Sequence, residues 1–176
     1  MTDVFISYSR KDTAFVRRLY EALEAKDYDA WVDWDDIEYA EDWWAKIQAG
    51  IEEANHFVFV ISPDSVQSTV CADEVEHATK TFKRIVPLLY RPITAAEDHQ
   101  RMHPSISRHN WLPFSDDDDF DSAIATLIDT LNTNPEHVRL HTRLLVRAIE
   151  WDDAGRPDSL LLRGEQLNQA EQWLTA

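Results

Sequence analysis

The chain has 176 residues, 44% of them hydrophobic and 28% charged, and carries a formal net charge of −16. That length suits one domain with an appendage, and the acidic balance argues against a nucleic-acid partner, because binding phosphates needs a basic face. A single cysteine, Cys71, excludes an internal disulfide framework and a cysteine-built zinc cluster. Three glycines, none following a strand pattern, exclude a G-x-G-x-x-G dinucleotide turn and a P-loop.

In chain order, "DVFISYS" (Asp3–Ser9) is a short apolar, β-branched and aromatic run, expected to be a strand. "KDTAFVRRLYEALEAKD" follows, with Phe15, Leu19, Tyr20 and Leu23 at helical spacing and Asp12 or Thr13 available as N-cap. "YDAWVDW" is a second strand, and "WWAKIQAGIEEA" a second helix with Trp43, Ile47 and Ile51 on one face. "HFVFVIS" is a fully buried third strand, Val66 to Phe82 one continuous third helix, and "RIVPLLY" the fourth strand. The connection Arg91–Arg108 is long enough to carry irregular or short helical structure. "HNWLPF" gives a short fifth strand and "FDSAIATLIDTLN" a closing helix. Alternating strand and helix imply an α/β fold with a mainly parallel sheet covered on both faces.

After Pro135 the character changes. "EHVRLHTRLLVRAIEW" is an amphipathic helix, "DDAGRPDS" a turn, and "GEQLNQAEQWLTA" opens a further helix without an evident cap. The expected division is therefore 1–134 and 135–176, the second part a helical extension toward modules of a longer chain. The longest apolar run is too short to span a bilayer, and the N-terminus lacks the form of a signal peptide. The expected location is cytoplasmic, with no membrane partner.

Ligands of open parallel sheets sit beyond the carboxyl ends of the strands. Those ends supply Tyr8, Ser9, Arg10 and Lys11; Asp33 to Asp36; Ser62 to Ser65; and Tyr90 with Arg91. Glu74 lies on the third helix, three residues after Cys71 and four before Ala78, so small apolar neighbours share its face. A carboxylate in that position is odd for plain solvated surface.

Taken together, "DVFISYSRKD", the aspartate after "YDAWV", "ISPDSVQSTVCADEVEHA" and "RIVPLLY" resemble the Toll/interleukin-1 receptor (TIR) domain, over about residues 1–134. The subgroup looks bacterial, of the kind joined to multidomain signalling proteins. The resemblance implies a flavodoxin-like fold with a five-stranded parallel sheet and helices on both faces, plus the short helical C-terminal extension. In many members it also implies cleavage of NAD as substrate, with no cofactor or metal, activated by self-association through TIR–TIR contacts in stress or phage defence. The alternative it allows is a non-catalytic adaptor signalling by the same contacts. In the NAD-cleaving members a glutamate in the third helix is catalytic, and the matching residue is Glu74. Arg10 and Lys11 match positions facing the diphosphate, and Trp31 an aromatic flanking the nicotinamide. Ser65 and Ser68 match hydroxyl positions before the glutamate, and Cys71 the residue three before it. Asp33, Trp34 and the acidic stretch to Asp42 correspond to the family's BB loop, without its usual glycine. Val70 stands where many active members carry a tryptophan, so an aromatic wall is expected to be missing.

Other motifs have plainer readings. The pairs His137/His141 and His99/His103 lack a matching acid and are expected on solvated helix faces. "SDDDDFD" lacks EF-hand spacing and suits a charged loop ahead of a helix N-terminus. A phosphoacceptor receiver domain of similar topology needs an aspartate where the third strand ends, and Ser62 is there instead.

Overall fold

The computed structural model describes residues 2–34 and 43–175. The stretch from Asp35 to Asp42, most of the expected acidic loop, lies outside them. The chain divides into two compact units, Met1–Thr133 and Asn134–Ala176.

In the first unit the strands are β1 (Val4–Ser7), β2 (Ala30–Trp31), β3 (His56–Ile61), β4 (Arg84–Leu89) and β5 (Leu112–Pro113). They form one five-stranded sheet, all parallel, in the order β2-β1-β3-β4-β5. The helices are α1 (Thr13–Glu24), α2 (Trp43–Glu53), α3 (Pro63–Gln67), α4 (Thr69–Lys80), α5 (Ala96–Arg101), α6 (Pro104–Ser107) and α7 (Phe120–Leu131). The second and fifth strands pair over only two residues each, shorter than the apolar runs suggested.

Strand parity sorts the core into two layers. Val4, Ile6, Val58, Val60, Val86 and Leu88 face α1 and α7. Phe5, Phe57, Phe59, Ile61 and Ile85 face α2 and α4. Successive side chains leave opposite faces of a strand, so Ser7 shares the α2/α4 side with Phe5. Phe5 and Phe57, both fully buried, stack at 5.5 Å between ring centroids and together contribute roughly 3–6 kcal/mol of apolar burial. Gly50 sits mid-helix in α2 because a Cβ there would stand 3.3 Å from the rings of both Phe5 and Trp31.

The expected single third helix is two. Ser62 caps α3 in a reciprocal capping box with Ser65, and Pro63 opens the helix. At Ser68 the backbone turns extended (φ −76°, ψ 123°), and its hydroxyl accepts from the Cys71 amide to start α4. Serine competes with the helix for its own backbone, so two serine caps six positions apart break what hydrophobic spacing joins. Helix α4 ends near Thr81, and Lys83 is buried behind it. Its Nζ donates to the Glu52 and Ala54 carbonyls at 2.6 and 2.9 Å, closing the C-terminus of α2.

The second unit holds α8 (Pro135–Asp153) and α9 (Glu165–Leu174). Here His137 and His141 are not simple solvated surface: both rings pack on Trp173, at 5.0 and 5.6 Å, and the Trp173 indole donates to the His137 carbonyl at 3.2 Å. No helix among the described residues is long and apolar enough to cross a membrane.

Candidate functional site

With β2 on one side of β1 and β3 on the other, the chain reverses its direction of winding between β1 and β3, where parallel sheets open a crevice. Ser7 ends β1 at that point. Helix α4 lies across this face and presents Cys71, Glu74, Val75 and Ala78 inward. Glu74 is 6% exposed. The Ser7 hydroxyl, 1% exposed, donates to Glu74 Oε2 at 2.5 Å, a short O–H···O bond.

Burial is the main influence on this carboxyl. It pushes the Glu74 pKa from 4.5 up to about 8; the Ser7 bond and Arg10 work against the rise, while the charges of Asp33 and Asp73 add to it. Glu74 is therefore mostly protonated at neutral pH. Burial, reinforced by Glu74, pushes the Cys71 thiol up to about 12, which makes it an inert packing group.

A second cluster surrounds Asp12. This residue was a candidate helix cap, yet its carboxylate makes no cap bond to α1. It accepts instead from Ser62 Oγ at 2.5 Å and from Arg91 Nε and Nη2 at 3.0 and 2.6 Å. Arg91 also donates to Asp64 Oδ2, and Lys11 Nζ to Asp64 Oδ1, at 2.5 and 2.6 Å. These bonds hold the Asp64 carboxyl below its usual range. The clasp ties the turn after β1, the start of α3 and the end of β4 into one rim.

A third group gathers on Asp33, which accepts from Arg10 Nη2 at 3.2 Å and from the Trp43 indole at 3.3 Å. Its carbonyl accepts from the Tyr8 hydroxyl at 3.1 Å. The Ser9 carbonyl accepts from the Asp12 amide at 2.7 Å.

Of the residues expected at the site, Tyr8, Arg10, Lys11 and Asp33 thus gather on the rim, with both cations engaged by acids, and Glu74 is buried against Ser7. Ser65 and Ser68 are engaged in helix caps, and Ser65 is buried. Trp31 lies against Phe5, stacked at 4.7 Å, with Gly50 at its ring, so it serves as core packing. Val70 faces a cleft shared with Trp43 and Trp44. Sequence reasoning missed Ser7, Asp12 and Trp43. Strand parity together with the inward face of α4 carries the signal for Ser7, since both point to one layer. Among the described residues no group of three or more His, Cys, Asp or Glu side chains converges on a metal site.

A family model for the TIR domain matches residues 4–128. The chain belongs to the TIR domain family. Solved structures agree in fold. The TIR domain of the Toll-related receptor TRR-2 from Hydra magnipapillata is 24% identical, covering 76% of this chain and 100% of that one, with a TM-score of 0.61. The TIR domains of the activated Roq1 resistosome, which recognises the pathogen effector XopQ, are 18% identical, covering 74% and 99%, with a TM-score of 0.59. The RPS4 and RRS1 TIR domain heterodimer is 19% identical, covering 74% and 96%, with a TM-score of 0.54. No curated protein matches the sequence.

Proposed function

We propose that this TIR domain cleaves NAD at the bond between nicotinamide and ribose, with Glu74 as the catalytic carboxylate. The observation that carries the reading is a buried glutamate held by Ser7 at the carboxyl end of β1, beside the switch point of the sheet. In the reaction the C1′–N bond breaks and its electron pair returns to the pyridinium nitrogen. Nicotinamide therefore leaves neutral, with no general acid required. The ribose becomes oxocarbenium-like, and a fixed carboxylate nearby stabilises that positive charge. Water then adds to C1′ and loses a proton, giving ADP-ribose; an internal nucleophile of the adenosine half gives a cyclic product instead. No cofactor or metal enters this scheme.

Self-association is part of the proposal. The RPS4 and RRS1 TIR domains form a heterodimer and Roq1 TIR domains belong to an activated resistosome, and we extend that behaviour to this chain. Its setting on this reading is a cytoplasmic signalling protein of bacterial stress or phage defence.

The test is nicotinamide release from NAD by the purified chain, at low and at crowded concentration, beside Glu74→Ala. Turnover that rises with concentration and falls by on the order of 10²–10³ in the variant upholds the proposal. Equal turnover in both removes Glu74 from the chemistry. No turnover at any concentration favours an adaptor that signals by TIR–TIR contact alone.

A further inference from the structure

Beside the buried Ser7–Glu74 pair, helices α2 and α4 frame an open cleft of about 410 Å³, within the range of small-ligand sites. Trp43, Trp44, Gln48 and Val70 line it together with Asp73, Glu76, His77 and Lys80, so two carboxylates face one ammonium group. The two indoles are 6.1 Å apart and tilted by 42°. The Trp44 ring meets the His77 ring edge-on at 6.3 Å. Both His77 nitrogens are engaged, Nε2 with Glu52 at 2.8 Å and Nδ1 with Gln48 at 3.3 Å, so the imidazole is a fixed boundary. Glu76 is already paired with Lys80 and His103. Asp73 is exposed and makes no ion pair with another described residue.

Two indoles in a lining with one more carboxylate than ammonium suit one ligand chemistry above others. Aromatic faces attract flat rings and cations, and the carboxylate favours a positive charge. We infer that the Trp43–Trp44 cleft binds a flat cationic aromatic ring. The cleft is linked to the reacting carboxylate through Asp33, which accepts from the Trp43 indole and whose charge acts on Glu74. This inference rests on the NAD-cleaving reading for its physiological ligand, the pyridinium ring of NAD. Trp43 and Trp44 then supply from α2 the aromatic wall that Val70 leaves open on α4, while Trp31 stays in the core against Phe5.

The probe is 1-methylnicotinamide, a pyridinium that carries the charge without a cleavable ribose bond, with neutral nicotinamide as control. The indole N–H resonances of the full chain are followed by NMR, those of Trp43 and Trp44 assigned from Trp43→Phe and Trp44→Phe. The expected result is a shift of both resonances, with the cation binding roughly tenfold more tightly than the neutral ring. Trp44→Phe keeps most of the affinity; Trp44→Leu and Asp73→Asn weaken it about fivefold or more. Unmoved Trp43 and Trp44 resonances, equal affinity for both probes, or full affinity in Trp44→Leu would overturn the inference. NAD cleavage that keeps its KM in Trp44→Leu also overturns it, while leaving the Glu74 reading intact. Cation binding in the cleft of a chain that never cleaves NAD upholds the site and removes that reading instead.

Discussion

Glu74 makes the fold less stable at high pH, by an amount that can be worked out. Its carboxyl is raised from 4.5 to about 8 in the folded chain, chiefly by burial. Between those two values the folded state binds more protons than the unfolded state, so stability falls as pH rises. The benefit is fully present below about 4.5, declines by about 1.4 kcal/mol per pH unit, and is gone above about 8. The interval corresponds to about 5 kcal/mol at most, and water entry on ionisation reduces this to about 2–4 kcal/mol. Glu74→Gln keeps the volume and an acceptor for the Ser7 hydroxyl, but removes the titration. Urea unfolding of both proteins at pH 5 and pH 9 isolates the effect, because other titrating groups cancel in the difference. The two proteins should agree within about 1 kcal/mol at pH 5, and the glutamine variant should be the more stable at pH 9 by about 2–4 kcal/mol. Stability profiles that run parallel from pH 5 to 9 would refute the assignment of Glu74 as a buried neutral acid.

Other predictions concern its neighbours. The rising limb of kcat/KM for NAD against pH should lie near 8, and Ser7→Ala should move it up by about one to two units, since a bond to the charged form is worth about 1.5–3 kcal/mol; an unmoved limb would show that Ser7 does not act on Glu74. Arg91→Ala should cost about 2–4 kcal/mol in chemical denaturation, because it strands the Asp12 carboxylate, 1% exposed, on Ser62 alone. A loss under about 0.5 kcal/mol would make the clasp a surface pair. Lys83→Met should cost about 2–3 kcal/mol through the two lost bonds to the Glu52 and Ala54 carbonyls at the end of α2. Burial lowers the Lys83 pKa to about 8, so wild type gains stability from pH 8 toward 10.5, and the deficit of the variant should widen across that window.

Much of this fold is written in period-two and period-3.6 hydrophobicity. The fully buried "HFVFVI" becomes the central strand β3, and the Phe15, Leu19 and Leu23 stripe becomes the buried face of α1. The break at Ser68 is harder to see, because hydrophobic spacing runs through it and only cap chemistry interrupts it. Asp12 was legible as a cap but not as the buried partner of Arg91, 79 residues away, since nothing local encodes a clasp between three loops. Glu74 stood out because a carboxylate on an otherwise small, apolar helix face breaks the pattern, and such breaks concentrate at functional sites. Ser7 did not stand out: a serine ending a buried strand conflicts with no rule, and its meaning appears only when α4 is laid over the sheet. Trp43 shares a helix face with the buried Ile47 and Ile51, and nothing in that spacing shows that at the first turn of α2 the face has already reached the rim.

A protonated Glu74 is the wrong form to steady an oxocarbenium ion, so the proposed chemistry requires that substrate binding ionise it. The pyridinium supplies the means. A positive charge within about 4–6 Å lowers a carboxyl pKa by about 1–3 units, enough to carry a group at about 8 to neutrality or below. When the C1′–N bond breaks, the positive charge passes from the ring to the ribose, so the carboxylate never loses its counter-charge. Water addition then frees a proton as the cation disappears, and Glu74 is returned to the acid. One proton leaves at binding and one is recaptured at hydrolysis, consistent with the single proton that cleavage of NAD to ADP-ribose and nicotinamide produces overall. The binding step can be isolated with 1-methylnicotinamide at pH 7, by titration calorimetry in two buffers of different ionisation enthalpy. Wild type should release a substantial fraction of one proton per ring bound, and Glu74→Gln none. Binding without proton release in wild type would mean that ring and carboxylate do not sense each other, and the cleft and Glu74 would then belong to separate functions.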